Sequence, residues 1–250
     1  MRCFATLARR ELASFFFSWI GYAIIAAVAF LLGLSFVITM GSLRSEPTSL
    51  PVTEVFYDTA FFWLILLLAA PIITMRLFAL EKFSGTFETL MTTPVSDRQV
   101  VLAKFTAALL FYLAMWAPLL ASILIVRHFT TDPTALEPAA IGGTFLGIAL
   151  VGGLFLSLGC FASALTRSQI IAAMTSFAGG MGLFVLSFLR DRAEVNTGWL
   201  AQAFYCLTLV EHMEDFARGV VDTRAVVFYL SFTAFFLFLT LRMVESRRWR

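Results

Sequence analysis

Long apolar runs, almost free of charge, alternate along this chain with short charged stretches. Six runs approach or exceed the twenty or so residues that a helix needs to cross a hydrocarbon core about 30 Å thick. They lie at 19–40, 59–80, 100–126, 140–165, 169–189 and 225–244. The expected fold class is therefore an all-α integral membrane protein with six transmembrane helices in one domain, 1–250. Pro71 and Pro118 fall inside the second and third runs and are expected to kink them, because proline removes a backbone donor. Only Thr166-Arg167-Ser168 joins the fourth and fifth runs, which requires a tight antiparallel hairpin. Gly142, Gly143, Gly147, Gly152, Gly153 and Gly159 stud the fourth run; Gly179, Gly180 and Gly182 stud the fifth. Small residues allow close helix approach, so both are expected inside the bundle, as plain packing or as a moving or pore-lining interface.

The segments between the runs carry patterns of their own. In residues 1–18, Phe4, Leu7, Ala8 and Phe15 share one helical face and Arg2, Arg9 and Arg10 the other, with Glu11 out of place on the apolar side. This predicts an N-terminal interfacial helix, with a basic tail as the alternative. The run beginning at Trp19 is too long for a signal-peptide core and reads as an uncleaved first span. Between the second and third spans, Phe83, Phe87, Leu90 and Met91 form an apolar stripe, with Glu81, Lys82, Glu88 and Thr89 on the other side. A short amphipathic helix is expected there, ending near Thr93-Pro94. Ser96 and Gln99 then read as a capping box for the third span. Such an elbow suits transmission of motion from a soluble partner, or a simple connector. Near the C-terminus, the stretch Trp199–Val210 is too short to span and is followed by Glu211, His212, Glu214 and Asp215. A short outer re-entrant pair before the sixth span is expected, the alternative being a loop with one amphipathic helix. Gly219 reads as a helix stop and Asp222 as a cap.

Composition narrows the function further. Hydrophobic residues make up 60% of the 250 and charged residues 14%. Soluble domains sit nearer 45–50% and about 25%. A soluble globular protein, a disordered chain and a nucleic-acid binder with a basic face are excluded. Arg2, Arg9, Arg10, Arg76, Lys82, Arg98, Lys104, Arg167, Arg242, Arg247, Arg248 and Arg250 fall on one side of the six-span topology; Arg44, Arg127, Arg190, Arg192, Arg218 and Arg224 fall on the other. The richer side is expected to be cytoplasmic, with both termini there. Cys3, Cys160 and Cys206 form no CxxC pair and read as free thiols. Neither lysine follows a glycine-rich phosphate-binding pattern, no HExxH or GxSxG occurs, and the span centres hold no carboxylate. No catalytic residue, metal site or cofactor is expected in the chain itself. Glu211, His212, Glu214 and Asp215 could bind a cation or form a substrate portal; the plain reading is a solvated polar face.

The elbow also carries a resemblance. Glu81-Lys82-x-Ser84-Gly85-Thr86-x-Glu88-x-Leu90-x-Thr92-x-Pro94-Val95-Ser96 resembles the first cytoplasmic loop of ABC-2 type permeases, the membrane subunits of ABC transporters. The order of interfacial helix, six spans and outer pair fits that family. The stretch His212–Arg224 and the ending Glu245-Ser246-Arg247-Arg248-Trp249 are similar to its gliding-motility permease-like branch. The resemblance implies a bacterial inner-membrane permease, more often an exporter, working as a homo- or heterodimer among membrane lipid. It also implies a separate ABC-type ATPase subunit that holds ATP and Mg and docks on the elbow. Glu81, Lys82, Gly85, Thr86, Glu88, Thr89, Pro94 and Ser96 would be the coupling residues, with Gly85 permitting close backbone approach. Phe83 stands where relatives often carry a basic residue. A membrane scaffold without transport and, more remotely, an intramembrane enzyme remain as other classes.

Overall fold

The computed structural model describes residues 2–45, 56, 59–86, 96–129, 138–192 and 208–246. Among these residues the regular elements are ten α-helices and no strand. In chain order they are α1 (Arg2–Phe16), α2 (Trp19–Ser45), α3 (Ala60–Thr74), α4 (Ala79–Ser84), α5 (Asp97–Met115), α6 (Ala117–Phe129), α7 (Pro138–Leu165), α8 (Gln169–Arg192), α9 (Leu209–Ala217) and α10 (Thr223–Ser246). Six stretches are long and apolar enough to cross a membrane: Trp19–Gly41, Ala60–Ser84, Asp97–His128, Pro138–Leu165, Gln169–Ser187 and Thr223–Ser246. They overlie the six apolar runs of the sequence. The protein is an all-α integral membrane protein.

α7 is the spindle of the bundle. It packs against α3, α5, α8, α9 and α10. Its glycines explain why so many neighbours fit. A Cβ on Gly152 would overlap the Tyr112 ring of α5, and one on Gly159 would overlap the Thr74 hydroxyl of α3. Gly143 lies under the Phe216 carbonyl of α9. Close backbone approach is the main source of helix association where lipid is as apolar as the side chains.

The other glycine-rich span departs from expectation. α8 is mostly exposed, touching α7 and α3 with one face. Gly179 and Gly180 meet Leu158 and Phe155 of α7, but Gly182 meets nothing among the described residues. Of the two glycine-rich spans, the fourth lies inside and the fifth borders it.

The two prolines act differently. Pro118 cannot donate to the preceding turn, and the third span breaks beside it: α5 ends at Met115 and α6 starts at Ala117. Trp116 bridges the break, its N–H donating to Leu113 O at 3.1 Å while its carbonyl accepts from Leu119 at 3.0 Å. Pro71 sits in the final turn of α3, and the chain breaks after it, at 75–78. The break before α6 is packed with rings: Phe62 lies 5.4 Å from Trp116 and 5.1 Å from Trp63, which lies 5.0 Å from Phe184.

Replacing Gly152 with leucine forces Tyr112 out of a filled position. Overpacking of this kind costs roughly 1–3 kcal/mol. The detergent-solubilised variant is expected to melt at a clearly lower temperature, while Gly182→Leu melts like the parent.

Candidate functional site

The elbow between the second and third spans is built by four segments meeting at one end of the bundle. The chain turns at 75–78 and restarts as α4, whose first N–H groups have no partner within the helix. Ser163, near the end of α7, supplies one. Its Oγ accepts from the N–H groups of Phe78 and Ala79 at 3.1 Å and donates to the Met75 carbonyl at 3.1 Å. Lys82 runs the other way, its Nζ donating to the Ala164 carbonyl. A cation there also suits the negative end of the α7 dipole. The elbow is thus clamped to the end of α7 by two side chains of opposite polarity.

Lys104, two turns into α5, is the centre of the site. It is 1% exposed. Its Nζ lies 2.6 Å from Glu81 Oε1 of α4 and 3.1 Å from Glu11 Oε1 of α1. The Phe78 ring lies 5.6 Å away. Burying an ammonium is costly unless it is paired, and here two carboxylates pair it. Glu11, the charge that seemed misplaced on the apolar face of α1, points inward because Lys104 is there. Leu7 continues the same contact, packing with Val100 and Ala103 of α5, and Phe15 stacks on Phe111 at 4.9 Å. Arg76 donates from Nη1 to Ser18 Oγ at 3.2 Å and lies 5.9 Å from the Phe15 ring. Between α1 and the elbow is a recess of about 180 Å³, lined by Arg10, Glu11, Arg76, Leu80, Glu81 and Lys104 among others.

The structure thus reverses part of the expected amphipathic helix. Glu81 and Lys82, assigned to the outer face, turn inward, while Phe83 of the apolar stripe is 77% exposed. The charges go in because ion-pair and carbonyl partners wait there. α4 also stops early, at Gly85 with φ +74, a left-handed conformation that favours glycine. Nothing among the described residues lies within 4 Å of a Cβ built there, so among them Gly85 serves the turn. Thr86 follows, exposed, with its Oγ1 2.8 Å from Ser84 Oγ. Glu88, Thr89 and Pro94, with the rest of the expected stripe, lie outside the described residues. At Ser96 the capping box forms, the Ser96 N–H donating to Gln99 Oε1 at 3.4 Å.

The segment before the last span is a second organised region. Of the expected re-entrant pair, α9 is described and 193–207 lies outside the described residues. α9 buries Leu209, His212, Met213, Phe216 and Ala217, at helical spacing, against α7. Glu211, Glu214 and Asp215 are half-buried. His212 therefore belongs to the packed face and not to a solvated one. It is 7% exposed, with its ring 5.8 Å from Tyr229 and its Nδ1 without a hydrogen-bond partner among the described residues. Burial pushes the imidazole below its ordinary value; Asp215, Glu211 and Asp222 pull it back in part. No three His, Cys, Asp or Glu side chains gather as metal ligands among the described residues. Gly219, at φ +81, ends α9: its N–H donates to Phe216 O at 3.1 Å and the Val220 N–H to Asp215 O at 2.9 Å, a Schellman closure. Asp222 caps α10 by accepting from the Arg224 N–H at 2.8 Å.

Two outcomes test these assignments. Lys104→Ala leaves two buried carboxylates facing each other and should cost about 3 kcal/mol or more, read as a large fall in melting temperature; Glu11→Gln, which keeps an acceptor, should cost less. His212, held neutral by burial, contributes fully above the ordinary histidine value of 6.5, and that contribution is lost as pH falls through the lower folded-state value. Between about pH 7.5 and about pH 5 the parent should lose more thermal stability than His212→Phe.

Comparison with protein families matches residues 48–212 to the model described as ABC-2 family transporter protein. The match covers about two thirds of the chain, from before the second span through the elbow to His212. A search of curated proteins gives no significant match. With six apolar helices and the elbow inside the matched region, the chain belongs to the ABC-2 transporter family and is a multi-pass membrane permease.

Proposed function

We propose that this chain is one permease half of an ATP-driven exporter of the bacterial inner membrane, with both termini in the cytoplasm. Two such chains, alike or different, enclose the pathway. A separate ATPase subunit carries ATP and Mg and docks on the elbow 79–96. The gliding-motility permease-like branch, which the stretch 212–224 resembles, is the reading for its place within the family.

The observation that carries the reading is the orientation of α4. It turns its charges toward the bundle and leaves Phe83 exposed, past the turn at 75–78. An exposed aromatic ring on a short, clamped helix suits an anchor for a soluble partner, since aromatic residues dominate the energetics of interface centres. Motion imposed on α4 would reach three helices at once: α1 and α5 through Lys104, and α7 through Ser163 and Lys82. The partner drives the cycle by binding one bundle packing more tightly than the other.

Affinity purification of the tagged chain from mild-detergent membranes tests this. A stoichiometric ATPase subunit is expected. Phe83→Asp should lower its recovery about tenfold or more, with the permease still folded. Full recovery with that variant sinks the elbow as the docking site. ATP hydrolysis in the complex should rise with substrate; a bound ATPase with no such response favours a scaffold.

A further inference from the structure

At the bend between α1 and α2, Phe17 and Trp19 are 88% and 92% exposed. Exposed aromatic rings beside a basic amphipathic helix mark the headgroup depth of a bilayer. Ser18, between them, holds the Arg76 guanidinium. The recess walled by α1, α4 and α5 therefore lies at that depth. Its charges are incompletely matched. Glu11 and Glu81 each give only Oε1 to Lys104, and neither Oε2 has a hydrogen bond among the described residues. Arg10 and Arg76 line the same recess, and neither is ion-paired among the described residues.

Two carboxylates around one ammonium carry one surplus negative charge; Arg10 offsets part of it by acting on Glu81 without forming an ion pair, and with Arg76 the lining as a whole sums to one positive charge. A simple anion would meet the carboxylates, and a simple cation would meet the guanidiniums. A ligand with both charges a few bonds apart satisfies both. The volume of about 180 Å³ holds on the order of ten waters, enough for a phosphoethanolamine group.

We propose that this recess binds an aminophospholipid from the leaflet on which α1 lies. Its phosphate sits between Arg10 and Arg76 in charge-assisted hydrogen bonds. Its ammonium faces the carboxylates of Glu11 and Glu81. A choline head group has no N–H donor for those oxygens, and a glycerol head group has no cation. The bound lipid ties α1 to the turn before α4, a second link beside Lys104. The site does not depend on ATPase docking, and its test involves no ATP.

The full chain, stripped of lipid in detergent, is titrated with phosphatidylethanolamine, phosphatidylcholine and phosphatidylglycerol of identical acyl chains, and bound lipid is counted by native mass spectrometry. Soluble phosphoethanolamine and inorganic phosphate serve as competitors. Phosphatidylethanolamine should bind about tenfold more tightly than the other two, and Arg76→Gln or Glu11→Gln should each remove about that factor. Neither soluble competitor should displace the lipid. Arg10→Gln and Arg76→Gln leave the Lys104 ion pairs intact, so they decide the matter even where Glu11→Gln fails to fold. Equal binding of phosphatidylglycerol, displacement by inorganic phosphate, or undiminished binding to Arg76→Gln would overturn the proposal.

Discussion

A buried ammonium must have its counter-charge delivered to it, and this requirement organises one end of the molecule. Lys104 is enclosed within two turns of the start of α5, and its partners come from segments 93 and 23 residues away. Removing either carboxylate leaves the lysine under-neutralised in a low-dielectric site. The N-terminal helix, the elbow and the third span are therefore joined at a single nitrogen, beside the packing of α1 on α5. Packing reinforces the arrangement but does not select it; Phe4, Leu7 and Ala8 would cover any apolar surface of similar shape.

The second organising element is α7, gripped at both ends. Toward its start, Gly143 and Gly147 accept α9 against their backbone. At its end, Ser163 and Ala164 hold the elbow by hydrogen bonds. One helix thus runs from α9 to the elbow, with glycines along it where neighbours come closest. Close-packed interiors transmit displacement rather than absorb it. Contact of this kind gives a physical basis for treating the two ends as one mechanical unit, whatever moves it.

Much of this architecture was legible from local pattern. The six spans, the hairpin at 166–168, the capping box at Ser96, the stop at Gly219 and the cap at Asp222 all depend on residues within a few positions of each other. Local rules fail where lipid removes the contrast between inside and outside. α7 and α8 are both apolar and glycine-studded, with six glycines against three, yet one is the spindle and the other a border, because hydropathy is uniform around a helix solvated by acyl chains. The elbow misled for another reason. Glu81 and Lys82 looked like a solvent face, since charges usually are; their partners, Lys104 and the Ala164 carbonyl, are remote in sequence. A charge on an otherwise apolar helical face, Glu11, was the one signal that pointed to a buried partner.

The sequence by itself determined that the chain lives in a membrane, how many spans it has, and where several of its helices are capped. The span count and the caps at Ser96, Gly219 and Asp222 follow from hydrophobic length and from backbone hydrogen bonds closed locally, whereas the end of α4 at Gly85 did not. Only the tertiary structure decided which helix is central, which face of the elbow is buried and which charge neutralises which. Those outcomes depend on backbone approach distances and on electrostatic pairing across the fold, and neither leaves a periodic trace along the chain.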